Sequence, residues 1–224
     1  MRIVRSSLIL LFGVVFSSIA PHANAHGSHK ERIMVDAGIA SVGATIETPE
    51  MHDNSPCVLI AGGTLSNLRT GGVGKQDVPR RDALARLSYH LTQAGYATIR
   101  YDKVGHGQSR PSNGWQGTYH DEAKVLAALM QMARSDERFT SLVVAGESAG
   151  GYLACLAAAE GHEADGYLFL GALCGTSREL YEYNFGRLPE LMAASPKLKE
   201  WIEKEGQDQL ILGQQIDELF KAAR

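Results

Sequence analysis

The sequence predicts an α/β protein in which a mainly parallel β-sheet carries helices on both faces. Short and wholly apolar runs such as residues 57–61 are typical of strands that are covered on both sides. These runs alternate with amphipathic stretches of helical period, which is the pattern of βαβ units. A tight glycine motif, Gly146–Gly150, joins one such strand to one such helix.

The predicted core covers residues 26–175 and begins with a hairpin. Residues 32–37 and 39–46 form its strands and Gly38 lies between them. The elements that follow are a strand at 57–61, a helix at 81–94, a strand at 97–101, a helix at about 119–134, a strand at 141–145, a helix at 151–159 and a strand at 166–173. Loops 62–79 and 102–115 follow the first two parallel strands. We expect both loops at the carboxyl edge of the sheet, where sites of such folds lie.

The two longer predicted helices each carry one apolar face. In the first, Leu84, Leu87 and Leu91 share a face and Gly95 ends the helix. In the second, the apolar stripe consists of Leu126, Leu129, Met130 and Ala133. We expect these faces to pack on the sheet.

The first 25 residues have the pattern of a secretory signal peptide. Arg2 and Arg5 give a basic start, residues 8–16 are apolar, and Ala23-Asn24-Ala25 is an A-x-A cleavage site. No cysteine stands at that site, so we expect no lipid and no stable membrane anchor after cleavage. The sequence therefore predicts an exported protein, periplasmic or secreted, whose mature chain starts near His26.

Composition argues against several classes of function. The formal net charge is −3, with mixed signs and no basic run, so no nucleic-acid partner is expected. No C-x-x-C or H-E-x-x-H spacing occurs, so no metal and no cofactor is implied. For Cys57, Cys155 and Cys174 we expect buried free thiols, and the alternative is one disulfide with one cysteine left over.

Gly146-Glu147-Ser148-Ala149-Gly150 is a G-x-S-x-G motif in the setting of a nucleophile elbow, between a strand and a helix of small residues. Ser148 is the candidate nucleophile, and it needs a base to take its proton. The backbone N–H of Ala149 is one candidate donor to an oxyanion, and the second comes from Gly63 or Thr64 in the loop after strand 57–61. The alternative is a strained turn without chemistry.

Three segments in this order resemble the α/β-hydrolase superfamily, in particular its serine-aminopeptidase-like and acyl-esterase-like branch. They are the strand ending in Gly62-Gly63, the segment 100–109 with the form R-Y-D-x-x-G-x-G-x-S, and the elbow, within residues 55–175. The resemblance implies that Asp102 and Ser109 shape a turn. It also implies that residues 176–224 begin a helical lid, and that an Asp and then a His on later loops complete the triad.

The chain departs from that pattern after Ser148. His162 is the only later histidine, and at 1.5 Å per helical residue it would lie roughly 20 Å from Ser148. Glu160 fails for the same reason, while a base from His106 or His120 would be unconventional. We therefore expect the acid and the histidine to be missing, the lid to be incomplete, and strand 166–173 to form an apolar edge of the sheet.

The function that these residues favour is an exported serine hydrolase that cleaves a small-molecule ester or amide through an acyl-enzyme on Ser148. A small ester is preferred to a peptide, and weak or no activity is expected of the chain as written. The alternative is a non-catalytic relative that binds a small hydrophobic ligand or a partner through the sheet edge and the helical tail. A nucleotide-binding domain is disfavoured because no G-x-G-x-x-G follows a strand.

Overall fold

The computed structural model describes residues 27–50, 54–64, 66–72 and 82–172, together with Thr176, Glu179 and 193–196. The predicted signal peptide, Cys174 and nearly all of the predicted lid lie outside the described residues. No helix within the described ranges is long and apolar enough to cross a membrane.

The described elements form one mixed sheet with three helices. Their bounds are β1 Ser28–Asp36, β2 Ala40–Pro49, β3 Ser55–Ala61, α1 Ala83–Gln93, β4 Ala97–Tyr101, β5 Arg110–Pro111, α2 Tyr119–Ser135, β6 Phe139–Glu147, α3 Ala149–Ala159 and β7 Gly166–Leu170. The strand order is β1-β2-β4-β3-β6-β7, and β5 pairs with β2. Strands β4, β3, β6 and β7 are parallel, whereas β1, β2 and β5 join antiparallel.

Helices cover both faces of the sheet, as predicted. Successive side chains of a strand point to opposite faces, and on β3 Leu59 belongs to one apolar cluster while Val58 and Ile60 belong to another. The Leu59 cluster contains the apolar stripes of α2 and α3, and the other contains Leu84 of α1. The apolar face predicted for α2 is buried throughout.

The predicted apolar face of α1 packs on the sheet, with Leu87 and Leu91 against the cluster that contains Leu84, but the buried surface of the helix extends beyond that face. Its most buried residues are Leu84, Ser88 and Thr92, whereas Leu87 and Leu91 are only half-buried. The physical reason is a carboxylate beneath the helix, because the Ser88 hydroxyl donates to Glu47 of β2 over 3.1 Å. Apolar periodicity alone does not reveal a polar contact of this kind.

Several boundaries also differ. The last described strand ends at Leu170 rather than at residue 173, and α3 begins at Ala149, two residues earlier than predicted. Strand β5 was not predicted, because its two exposed residues carry no apolar alternation.

Cys57 is buried and has a free thiol, and burial raises the pKa of this thiol to about 12. Cys155 is also free but exposed, so the expectation that it is buried was wrong.

Candidate active site

Ser148 has a backbone conformation that side chains rarely adopt. Its φ of 51° and ψ of −119° make it the one non-glycine with positive φ among the described residues. Such strain costs of order 1–3 kcal/mol and persists only where the surroundings fix it. Here the Ser148 N–H donates to the Leu170 carbonyl at 3.0 Å, and the Ser148 carbonyl accepts from Gly151 N–H at 3.1 Å.

The glycines of the motif are required by close packing. A Cβ at Gly146 would overlap the backbone of Gly151, and one at Gly150 would overlap the carbonyl of Ala61 at the end of β3. The sharp turn from β6 into α3 therefore lies directly against β3. This is the strand–turn–helix setting that a nucleophile elbow needs.

The loop after β3 lies beside Ser148, and Glu147 holds it there. A Cβ at Gly63 would lie 2.7 Å from the Cβ of Ser148. The Glu147 carboxylate accepts from Gly63 N–H at 2.7 Å and from the Ser66 hydroxyl at 2.9 Å. Because the Gly63 amide is already bonded to Glu147, Thr64 is the remaining candidate of the two for the second oxyanion donor.

For the Thr64 N–H and the Ala149 N–H, no hydrogen-bond acceptor is found among the described residues. Ala149 is the first residue of α3 and is almost fully buried. Amides in the first turn of a helix have no partner inside the helix, and the helix dipole favours negative charge there. This arrangement can stabilise an oxyanion formed on a carbonyl that Ser148 attacks.

The described residues supply no base to Ser148, since its hydroxyl makes no hydrogen bond to a described histidine or carboxylate. His120 Nδ1 lies 2.9 Å from Glu160 Oε1, and Glu160 follows the last residue of α3. At 1.5 Å per residue the far end of α3 is about 18 Å from Ser148, so this pair is held away from it. His162 lies beyond the same helix end.

Asp102 and Ser109 are both used to build the turn after β4. The Asp102 carboxylate accepts from the backbone N–H groups of Arg69 and Gln108, each at 2.9 Å. The Ser109 hydroxyl donates to the Asp102 carbonyl at 2.6 Å and accepts from Gly43 N–H at 3.0 Å. These bonds agree with the turn-shaping role that the family resemblance implied.

A cavity of about 210 Å³ lies beside Thr64. Its lining residues are Thr64, Asn67, Lys103, Val104, His106, Gly117, Thr118, Tyr119 and Glu122. This cavity could not be identified from the sequence, because Lys103 comes from the turn after β4 and Glu122 from α2. Nothing in the spacing of these residues shows that they face one space. The contact of Glu147 with the loop after β3 was not predicted either, because its partners Gly63 and Ser66 lie more than 80 residues earlier in the chain.

Comparison with known proteins places this geometry in a family. A family model for serine aminopeptidase S33 matches residues 81–210. No curated protein matches the chain significantly.

Solved structures also match. Lip1 from Acinetobacter baumannii is 19% identical with a TM-score of 0.52, and covers 79% of this chain and 53% of its own. The α/β hydrolase GrgF from a Penicillium species is 14% identical with a TM-score of 0.51, covering 76% and 55%. Est1E from Butyrivibrio proteoclasticus, solved with ferulic acid bound, is 24% identical with a TM-score of 0.46, covering 58% and 47%. The family model and the likeness to Lip1 and GrgF show that the fold is that of the α/β hydrolases. The chain spans about half of the length of the three solved proteins.

Proposed function

The chain belongs to the serine aminopeptidase S33 family of α/β hydrolases, and on that premise we propose that it is a serine hydrolase. It cleaves a carboxylic ester or amide through an acyl-enzyme on Ser148, with a small ester preferred to a peptide. The observation that carries the proposal is the strained backbone of Ser148 between β6 and α3. Strain of this kind is retained where a side chain must be presented to a substrate.

In the proposed reaction the Ser148 oxygen attacks the substrate carbonyl, and a base takes the hydroxyl proton. The oxygen of the tetrahedral intermediate accepts hydrogen bonds from the N–H groups of Ala149 and Thr64. The intermediate then expels the alcohol or amine, which receives that proton, and water releases the acid from Ser148. The described residues provide the nucleophile and the oxyanion donors, and we place the acid and the base outside them.

We also propose that the protein is exported, to the periplasm or beyond the cell. The support is the basic, apolar and A-x-A pattern of residues 1–25. An exported hydrolase meets its substrate outside the cytoplasm.

A fluorophosphonate probe tests the hydrolase, because it bonds covalently to an activated serine. We expect labelling of the wild-type chain that disappears in Ser148→Ala and persists in Ser135→Ala, a control at the exposed last residue of α2. Circular dichroism must show that all three proteins are folded. A folded wild type that takes up no label, with or without long incubation, would contradict the proposal.

A second candidate is a binding protein without catalysis, and one observation favours it. Leu168, Phe169 and Leu170 of β7 are exposed by 47%, 49% and 39%, and β7 lies at the edge of the described sheet. Such an edge can pair with a strand of a partner. Absence of labelling in a folded protein would favour this candidate.

A further inference from the structure

We propose that the cavity beside Thr64 is a subsite for a hydroxyl-bearing group of the substrate. Lys103 donates to the hydroxyl oxygen, and Glu122 accepts the hydroxyl hydrogen. The inference rests on the proposed function for its place next to Ser148, and it adds the chemical class of group that the site selects.

The first observation is that two side chains of opposite charge, Lys103 and Glu122, line this cavity without forming an ion pair with each other. Lys103 and Glu122 both face it, yet among the described residues no ion pair joins them within 4.0 Å. Burial lowers the pKa of Lys103 and raises the pKa of Glu122, and the opposite charge of the other residue only partly offsets each shift. A group placed between the two would therefore gain a donor on one side and an acceptor on the other.

The second observation is a pair of buried polar atoms without partners. Glu122 Oε2 and the Tyr101 hydroxyl are both buried, and neither makes a hydrogen bond to a described residue. Tyr101 is only 4% exposed, and burial, followed by the charge of Glu122, raises the pKa of its hydroxyl. Of the two residues only Glu122 lines the cavity, and a ligand that donates a hydrogen bond to Glu122 Oε2 would offset the cost of leaving this buried oxygen unsatisfied.

The arrangement favours a neutral hydroxyl over a charged group. A carboxylate could bind Lys103 but would be repelled by Glu122. An ammonium group could bind Glu122 but would be repelled by Lys103. Burying a charge beside one like charge is costly even when an opposite charge is near. A hydroxyl both accepts and donates, so it satisfies the two side chains at once.

The remaining lining suits the carbon skeleton that carries the hydroxyl. Val104 and the half-exposed ring of Tyr119 give the cavity an apolar side. Thr64, whose amide is a candidate oxyanion donor, also lines it. A substrate whose carbonyl oxygen is held by the Thr64 N–H can therefore extend into this cavity.

The test compares two probes that differ by one hydroxyl, 3-(4-hydroxyphenyl)propanamide and 3-phenylpropanamide. Dissociation constants are measured by NMR titration of the full chain. We expect the hydroxylated amide to bind the wild type about tenfold more tightly, because hydrogen bonds to charged groups are the stronger ones. In Lys103→Met and in Glu122→Met that ratio should fall below about threefold.

Two controls keep the result specific. Lys124→Met on α2 and Glu163→Met after α3 remove exposed charges outside the cavity lining and should leave the ratio unchanged. Equal binding of the two amides by the wild type would overturn the subsite. Tighter binding of 3-phenylpropanoate than of the hydroxylated amide would also overturn it, since the cavity would then select an anion.

Binding and catalysis are read separately. A difference in dissociation constant between the two amides, without fluorophosphonate labelling, would support the subsite and contradict the serine hydrolase. Labelling of Ser148 without discrimination would reject the subsite alone. Where labelling occurs, hydrolysis of the two matching ethyl esters should show the same preference in kcat/KM, and that preference should be lost in both cavity variants.

Discussion

At the residue scale, the candidate site depends on backbone positions that only glycine can occupy. Gly146, Gly63 and Gly150 lie where β6, α3 and the end of β3 approach most closely. Their lack of a side chain allows the turn at Ser148 to pack directly against the end of β3 and the loop that follows it. The sequence motif predicted the turn, and the contacts explain why its glycines are needed.

We expect Gly150→Ala to destabilise the fold by about 1–3 kcal/mol, because a methyl group at this position overlaps the Ala61 carbonyl and must displace β3 or α3. The shift should also reduce fluorophosphonate labelling at least tenfold, since small misplacements at a reacting centre are costly. Urea unfolding measures the first effect and labelling rates the second. Gly166→Ala is the control, because its nearest neighbour would be at an ordinary 3.6 Å. Equal stability of the two variants would contradict this account.

The role of Glu147 could not have been predicted from the motif alone. Its carboxylate bonds to Gly63 and Ser66, which lie more than 80 residues earlier in the chain. The motif gave the position of Ser148 and Ala149, while the choice between Gly63 and Thr64 as second donor depended on this long-range bond. A local pattern does not contain that information.

At the scale of secondary-structure elements, one buried carboxylate connects four of them. Glu47 of β2 is fully buried and accepts hydrogen bonds from Ser28 of β1, Ser88 of α1 and Arg100 of β4. Arg100 is itself buried, and its Nη1 also donates to the Arg69 carbonyl at 2.7 Å. This network explains why α1 buries small polar residues against the sheet.

We expect Glu47→Leu to lower the free energy of unfolding by about 3–5 kcal/mol, because it leaves the Arg100 charge buried without its carboxylate. The double variant Glu47→Leu with Arg100→Met should lose less than the single variant, since no buried charge then remains unpaired. Lys30→Met serves as the control. Lys30 is mostly exposed and contacts Glu47 at 3.2 Å, and an exposed pair is worth about 1 kcal/mol or less. Urea titrations would measure the free energy of unfolding of the three variants. A double variant that is less stable than Glu47→Leu would contradict the expected role of the Arg100 charge.

At the scale of the whole molecule, the described sheet has its apolar edge at β7, as the sequence predicted for the strand that starts at Gly166. Three successive apolar residues of that strand are exposed. A strand edge of this composition favours pairing between chains.

We therefore expect this chain to self-associate as its concentration rises, and Leu168→Lys to reduce that association. A charge on the edge strand opposes strand pairing. Sedimentation velocity measures the shift from oligomer to monomer. Tyr89→Lys on α1 adds the same charge at another exposed position and should have little effect. Equal self-association of both variants would show that β7 is not the contact.

Local sequence patterns were enough to predict the alternation of strands and helices, the two-sided burial of the parallel strands and the position of the elbow. These features follow from local periodicity and from glycine spacing, which neighbouring residues specify. Long-range packing brings the Glu147 carboxylate to the Gly63 amide, His120 to Glu160, and Lys103 and Glu122 to one cavity with Thr64. Each of these depends on residues far apart in the chain that only the folded sheet brings together.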